Sequence, residues 1–136
     1  MKDMIKVCHL KHYFGEKVVL DNIDLQIKTG EIFGLLGPSG AGKTTLIKIL
    51  TGQLQPSEGS AELFQKSSMK LNGNDYKNIG IMMDQFGLYE RLNCYDNLKL
   101  FSMLNGNPAE RIMEALDKVG LKSAAKTVVS NLSKGM

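Results

Sequence analysis

Eight consecutive residues, Gly37-Pro38-Ser39-Gly40-Ala41-Gly42-Lys43-Thr44, hold the densest set of chemically useful groups in this sequence. They fit the pattern G-x-x-x-x-G-K-[ST], and each position has a physical reason. Glycines let the backbone take dihedrals closed to other residues, so successive amides converge on phosphate oxygens without a Cβ in the way. A helix beginning near Lys43 adds its positive dipole end and its unpaired N–H groups. Lys43 brings a mobile ammonium to the β and γ phosphates, and Thr44 offers a hydroxyl to magnesium. Gly37, Pro38, Ser39, Gly40, Ala41, Gly42, Lys43, Thr44 and Thr45 are therefore the candidate nucleotide-binding residues, with Lys43 the candidate catalytic group. With glycine near ~7% of residues, chance matches to the pattern arise in roughly a few chains per thousand. No Asn-Lys-x-Asp string for guanine selection occurs, which argues against a GTPase.

Such a loop needs a strand before it and a helix after it. Ile32 to Leu36 is a short apolar run ending at Gly37, the pattern of a parallel strand covered on both faces. From Lys43 the spacing turns helical, with Leu46, Ile49 and Leu50 on one face and Gly52 where the helix ends. Upstream, Ile5 to Leu10 and Val18 to Ile27 alternate like an antiparallel pair joined at Phe14 to Lys17. Downstream come a turn at Pro56 to Gly59, a strand at Ala61 to Phe64, a turn cluster at Leu71 to Asp75 and a short buried strand at Ile79 to Met83. Beyond Gly87 the pattern is helical: Leu98, Phe101 and Ser102 share a face, as do Leu100 and Leu104. Asn107-Pro108-Ala109-Glu110 reads as a helix start, with Asn accepting from free amides, Pro preset for the first turn and Glu reaching back. Ile112, Ala115, Leu116 and Val119 follow on one face, and Gly120 stops the helix.

Composition bounds the class. The chain has 136 residues, 17 basic and 14 acidic side chains, 43% hydrophobic residues and a net charge of +3. That is one domain or part of one, too apolar for whole-chain disorder, and its charge is too small and too dispersed to imply a nucleic-acid stripe. Cys8 and Cys94 stand far apart without metal-ligand spacing, which fits a reducing cytosol. No apolar run approaches the ~18 residues of a membrane span, so the expectation is a soluble, unexported chain.

Several further motifs, in order, resemble the nucleotide-binding subunit of an ATP-binding cassette (ABC) transporter over essentially the whole chain. Phe14-Gly15-Glu16 followed by Val19-Leu20-Asp21-Asn22-Ile23 is similar to the family's adenine-stacking loop and second strand, with Phe14 against the base and Tyr13 as alternate. Thr51-Gly52 to Pro56-Ser57-Glu58-Gly59 resembles the turn after the phosphate-loop helix. Ile79 to Tyr89 resembles the Gln loop; the usual Gln position carries Asp84 and Gln85 sits one residue later, so either is the implied magnesium ligand beside Thr44. Leu88 to Leu98 looks like the start of the helical subdomain in exporter-type members, where the family meets its membrane subunit. Asn131 to Met136 resembles the signature, usually Leu-Ser-Gly-Gly-Gln, here Leu132-Ser133-Lys134-Gly135-Met136. In the family this element reaches the nucleotide of a partner across a head-to-tail dimer.

The fold this resemblance implies is α/β: a P-loop NTPase (RecA-like) core with an antiparallel β subdomain and an inserted helical subdomain, ending before the acidic (Walker B) strand. Residues 1–88 would be the ATP-binding core and 89–136 the helical subdomain. The implied function is that of an ATP-binding subunit coupling ATP binding and hydrolysis to export. ATP and Mg2+ are the implied cofactors, and a membrane-spanning subunit and a second nucleotide-binding subunit the partners, without nucleic acid. Its place would be the cytoplasmic face of the membrane. The family's acidic strand, water-polarising Glu and His loop have no counterpart in residues 1–136. Asp84, Glu90 and Asp96 do not close an apolar strand, so none is assigned as a base. The chain reads as an N-terminal portion, its Ile32 to Leu36 strand expected to lack a neighbour and its own ATPase rate expected at background. The other reading is a non-catalytic remnant that binds nucleotide or another subunit.

Overall fold

The computed structural model describes residues 2–82, 87–133 and 135. The chain forms two compact units, Met1–Asn78 and Ile79–Met136.

In the first unit, β1 (Asp3–Phe14) and β2 (Lys17–Lys28) make the expected hairpin, and β3 (Glu58–Leu63) and β4 (Lys66–Ser67) extend it into an antiparallel sheet of order β2-β1-β3-β4. The pairing is irregular between Val7 and Leu10, where His9 takes φ 48°. This bulge resets the two-residue alternation, so Val7, Leu10 and His12 are all buried. The helix α1 (Lys43–Leu50) lays the predicted face, Leu46, Ile49 and Leu50, into one core with Val7, Leu10, Leu20 and Ala61. Burying such side chains stabilises by about 1.5–3 kcal/mol each.

The expected strand from Ile32 to Leu36 does not form. Residues 31–38 have no regular structure, and Ile32 and Leu36 are 101% and 95% exposed. An apolar run becomes a buried strand only with neighbours on its edges and layers on its faces. Among the described residues none pairs with this one. The same holds for Ile79 to Met82, where Ile81 and Met82 are exposed; Met83 lies outside the described residues.

The turn cluster at Leu71 to Asp75 is a helical turn, α2 (Gly73–Tyr76), closed by a capping box: the Asn72 side chain accepts from the Asp75 N–H, and the Asp75 carboxylate accepts from the Asn72 N–H at 2.7 Å. Lys66 Nζ donates to the same carboxylate at 2.6 Å. This ammonium first, and the Asn72 N–H second, hold the Asp75 carboxyl below its ordinary range. Because the folded value is depressed, the stabilisation is complete above the unfolded value of about 3.9 and is lost as pH falls through the lower folded one. Asp75→Asn should therefore flatten the acid limb of a plot of Tm against pH below about pH 4. An unchanged limb would assign the acid sensitivity to other carboxylates.

The second unit holds α3 (Cys94–Asn105) and α4 (Arg111–Lys118), around a core of Cys94, Ile112, Leu116 and Ala125 joined by Leu98, Leu121 and Leu132. Asn93 caps α3, accepting from the Asp96 N–H at 2.7 Å. Asn97, 2% exposed, accepts from the Tyr89 N–H and donates to the carbonyls of Tyr89, Leu92 and Asn93. One buried amide thereby fixes the segment leading into α3. Asn107 does not cap α4, which has no side-chain cap at all. Instead its N–H donates to the Ser102 carbonyl at 2.9 Å and its carbonyl accepts from the Ser102 hydroxyl at 2.7 Å. Gly106, left-handed at the end of α3, turns Asn107 back onto that helix. Val119 falls off the buried face and is exposed. Among the described residues no helix is long and apolar enough to cross a membrane.

Candidate functional site

The phosphate loop meets α1 at Gly42, which caps the helix with φ 85° and contributes no side-chain hydrogen bond. The first turn carries no acidic residue. Its free amides and positive dipole end are therefore left to an external anion. Lys43 Nζ folds back over the loop and donates to the carbonyls of Gly37 and Pro38 at 2.5 and 2.7 Å. The Ala41 N–H donates to the Pro38 carbonyl at 3.2 Å, tightening the same turn. Ser39, Gly40 and Ala41 are exposed, Thr44 is exposed at the start of the helix and Thr45 is half-buried. The loop and the first turn of α1 thus carry free amides, an ammonium and an exposed hydroxyl within a few residues of one another.

What holds it there is the hairpin. A Cβ on Gly42 would lie 2.7 Å from the Val19 carbonyl oxygen and 2.8 Å from Leu20 Cδ2, so only glycine lets the helix start approach β2 this closely. Phe14 pairs with Lys17 at the turn end of the same hairpin. Leu20 lies three residues along β2 from Lys17, roughly 10 Å at ~3.4 Å per residue. The aromatic and the loop are therefore presented by one rigid element.

Of the two aromatics considered, Phe14 is 54% exposed, whereas Tyr13 is engaged. Tyr13 donates its hydroxyl to Glu58 at 2.8 Å and its N–H to the Ser57 hydroxyl at 3.1 Å. The Glu58 carboxylate, by accepting that hydrogen bond, raises the phenol's pKa. Phe14 is the ring left facing solvent. Beside it stands a residue that the motif reading did not single out: His12, buried, with ring centroids 4.7 Å apart and planes at 81°. The two-residue spacing that puts His12 and Phe14 on one strand face was the available signal.

For magnesium, the exposed Thr44 hydroxyl beside the loop is an oxygen donor of the kind a hard cation takes together with substrate phosphates. Asp84 and Gln85 lie outside the described residues, as does Lys134. Leu132 packs against the core of the second unit, while Ser133 and Gly135 are exposed.

The sequence model of the family described as ABC transporter matches residues 20–136. The lantibiotic transport ATP-binding protein SrtF of Streptococcus pyogenes is 35% identical over 133 residues, covering 98% of this chain and 57% of the relative. The methionine import ATP-binding protein MetN of Clostridium acetobutylicum is 36% identical over 140 residues, covering 97% of this chain and 44% of the relative. Among solved structures, the ATP-binding cassette MJ0796, a dimer in a post-hydrolysis state bound to ADP and Pi, superimposes with a TM-score of 0.79 at 27% identity, over 97% of this chain and 64% of that one. The chain spans about half the length of the curated relatives it matches.

Proposed function

We propose, from the premise that this chain belongs to the ABC transporter family, that it supplies the ATP-binding face of a transport ATPase subunit. The observation that carries this reading is the uncapped start of α1, with Lys43 lying against the loop that would share it with a polyphosphate. Loop amides from Gly37 to Thr45 and the Lys43 ammonium bind and orient the β and γ phosphates. Thr44 would hold Mg2+, which would neutralise phosphate charge when bound. Phe14 stacks on adenine, presented by the same hairpin that Gly42 packs against.

Residues 1–88 serve as the ATP-binding core and 89–136 as the helical subdomain. Of the signature Leu132 to Gly135, Ser133, Lys134 and Gly135 face the nucleotide of a second subunit in a head-to-tail dimer, with Leu132 anchoring the segment on the core of the second unit. A membrane-spanning partner moves the substrate and keeps the chain at the cytoplasmic face. Export is the direction proposed, supported by the likeness of Leu88 to Leu98 to exporter-type members; the similarity to the lantibiotic transport protein SrtF supports a transport role without giving a direction. MetN is as similar, so direction has its own test. Cells expressing the protein with its membrane partner should tolerate an added lantibiotic; faster methionine uptake instead would overturn export.

Binding is tested by calorimetric titration of Mg-ATP into the protein, where the absence of saturable heat would end the proposal. Phe14→Ala should weaken ATP about five- to a hundredfold, the range of base–aromatic stacking. Tripolyphosphate, which has no ring, should bind as before. Equal weakening of both ligands would make Phe14 a structural residue.

A further inference from the structure

We infer that His12 is a positioning residue for the nucleotide base, holding the Phe14 ring in the orientation that stacks. The inference rests on the proposed role of Phe14. His12 is 6% exposed, and its Nε2 is buried with no hydrogen-bond partner among the described residues. Its Nδ1 has only a long contact, 3.4 Å, to the Ser57 hydroxyl, which also accepts the Tyr13 N–H. A buried position opposite Leu20 is filled at lower cost by an aliphatic side chain, since an unpartnered buried nitrogen is unfavourable. What the imidazole does that leucine cannot is meet Phe14 edge-to-face, at 4.7 Å and 81°.

Phe14 needs such a restraint. It sits at the last position of β1, half-exposed, and a free ring there would lose rotamer entropy whenever a base stacked on it. His12 restrains the ring beforehand. It is itself fixed from β2, where Leu20 also receives Gly42, so the same register that seats the phosphate loop seats the base platform.

The test measures ATP and tripolyphosphate affinities calorimetrically for the wild type, His12→Leu, His12→Phe, Phe14→Ala and the His12→Leu/Phe14→Ala pair, with circular dichroism on each. His12→Leu should weaken ATP about three- to tenfold and leave tripolyphosphate unchanged, as expected for one aromatic pair. His12→Phe, which keeps a ring edge, should restore ATP affinity. In the Phe14→Ala background His12→Leu should add no further loss. Wild-type ATP affinity in His12→Leu, equal weakening of both ligands, or multiplicative losses in the pair would each overturn the inference. If Phe14→Ala itself fails to discriminate ATP from tripolyphosphate, the adenine reading falls and this one with it. If Phe14→Ala discriminates and His12→Leu does not, only the role of His12 falls. Should His12→Leu not fold, Ser57→Ala at an exposed position removes the hydroxyl beside Nδ1. It should give a smaller ATP-selective loss, and no loss would overturn the inference.

Discussion

Lys43→Ala should lower the affinity of the protein for Mg-ATP by about ten- to a hundredfold while leaving the fold intact. A hydrogen bond to a charged group contributes about 1.5–3 kcal/mol, and every 1.4 kcal/mol is a factor of ten. Lys43 supplies the only full positive charge in the loop from Gly37 to Thr45. Its present partners are the carbonyls of Gly37 and Pro38, both exposed, so water replaces the ammonium there at little cost to stability. Lys43→Arg should not rescue binding. The planar guanidinium is larger than an ammonium and directs its donors in a fixed fork, whereas these two carbonyls are bridged by a single nitrogen. A fluorescent ATP analogue titrated into the three forms reads the difference, and equal affinities would remove the loop from nucleotide binding.

Gly42→Ala should be the most damaging single-methyl addition in the loop, destabilising the first unit by about 3 kcal/mol or more. Two costs add at this position. At φ 85° an L-residue pays the left-handed penalty of about 1–2 kcal/mol. The new methyl would also stand 2.7 Å from the Val19 carbonyl oxygen, a backbone atom that cannot rotate away, so β2 or the start of α1 must retreat. Gly40 separates the two costs, because its φ is 83° but nothing lies within 4 Å of its Cβ position. Gly40→Ala should therefore lose only about 1–2 kcal/mol. Urea unfolding of both variants beside the wild type tests the ranking. Equal losses would mean that the approach to β2 contributes nothing, and that the loop is not seated by the hairpin.

The elements that were legible in advance are those whose pattern is local. The β1–β2 hairpin and α1 with Leu46, Ile49 and Leu50 inward follow from periodicity, which reports the face an element buries, whereas α3 buries Cys94 and Asn97, which the spacing of Leu98 and Phe101 did not point to. The phosphate loop was legible for a sharper reason. Its glycines and lysine sit at consecutive positions, and φ values of 83° and 85° at Gly40 and Gly42 are requirements on single residues. Asn107 misled because the same residue types that begin a helix can close the previous one. Only the left-handed turn at Gly106 decides between them.

By itself, then, the sequence determined the glycine-rich loop, the helix that starts from it and the aromatic at the hairpin end, because each depends on neighbours in the chain. The tertiary structure decided the rest. It gave the Tyr13 hydroxyl to Glu58 and left the Phe14 ring facing solvent, brought His12 against that ring, and set Gly42 against Val19 and Leu20. It also left Ile32 and Leu36 exposed where their apolar pattern asked for a strand. These outcomes depend on which distant groups arrive alongside, for a buried strand needs edge partners and a free aromatic needs its neighbour to be engaged elsewhere.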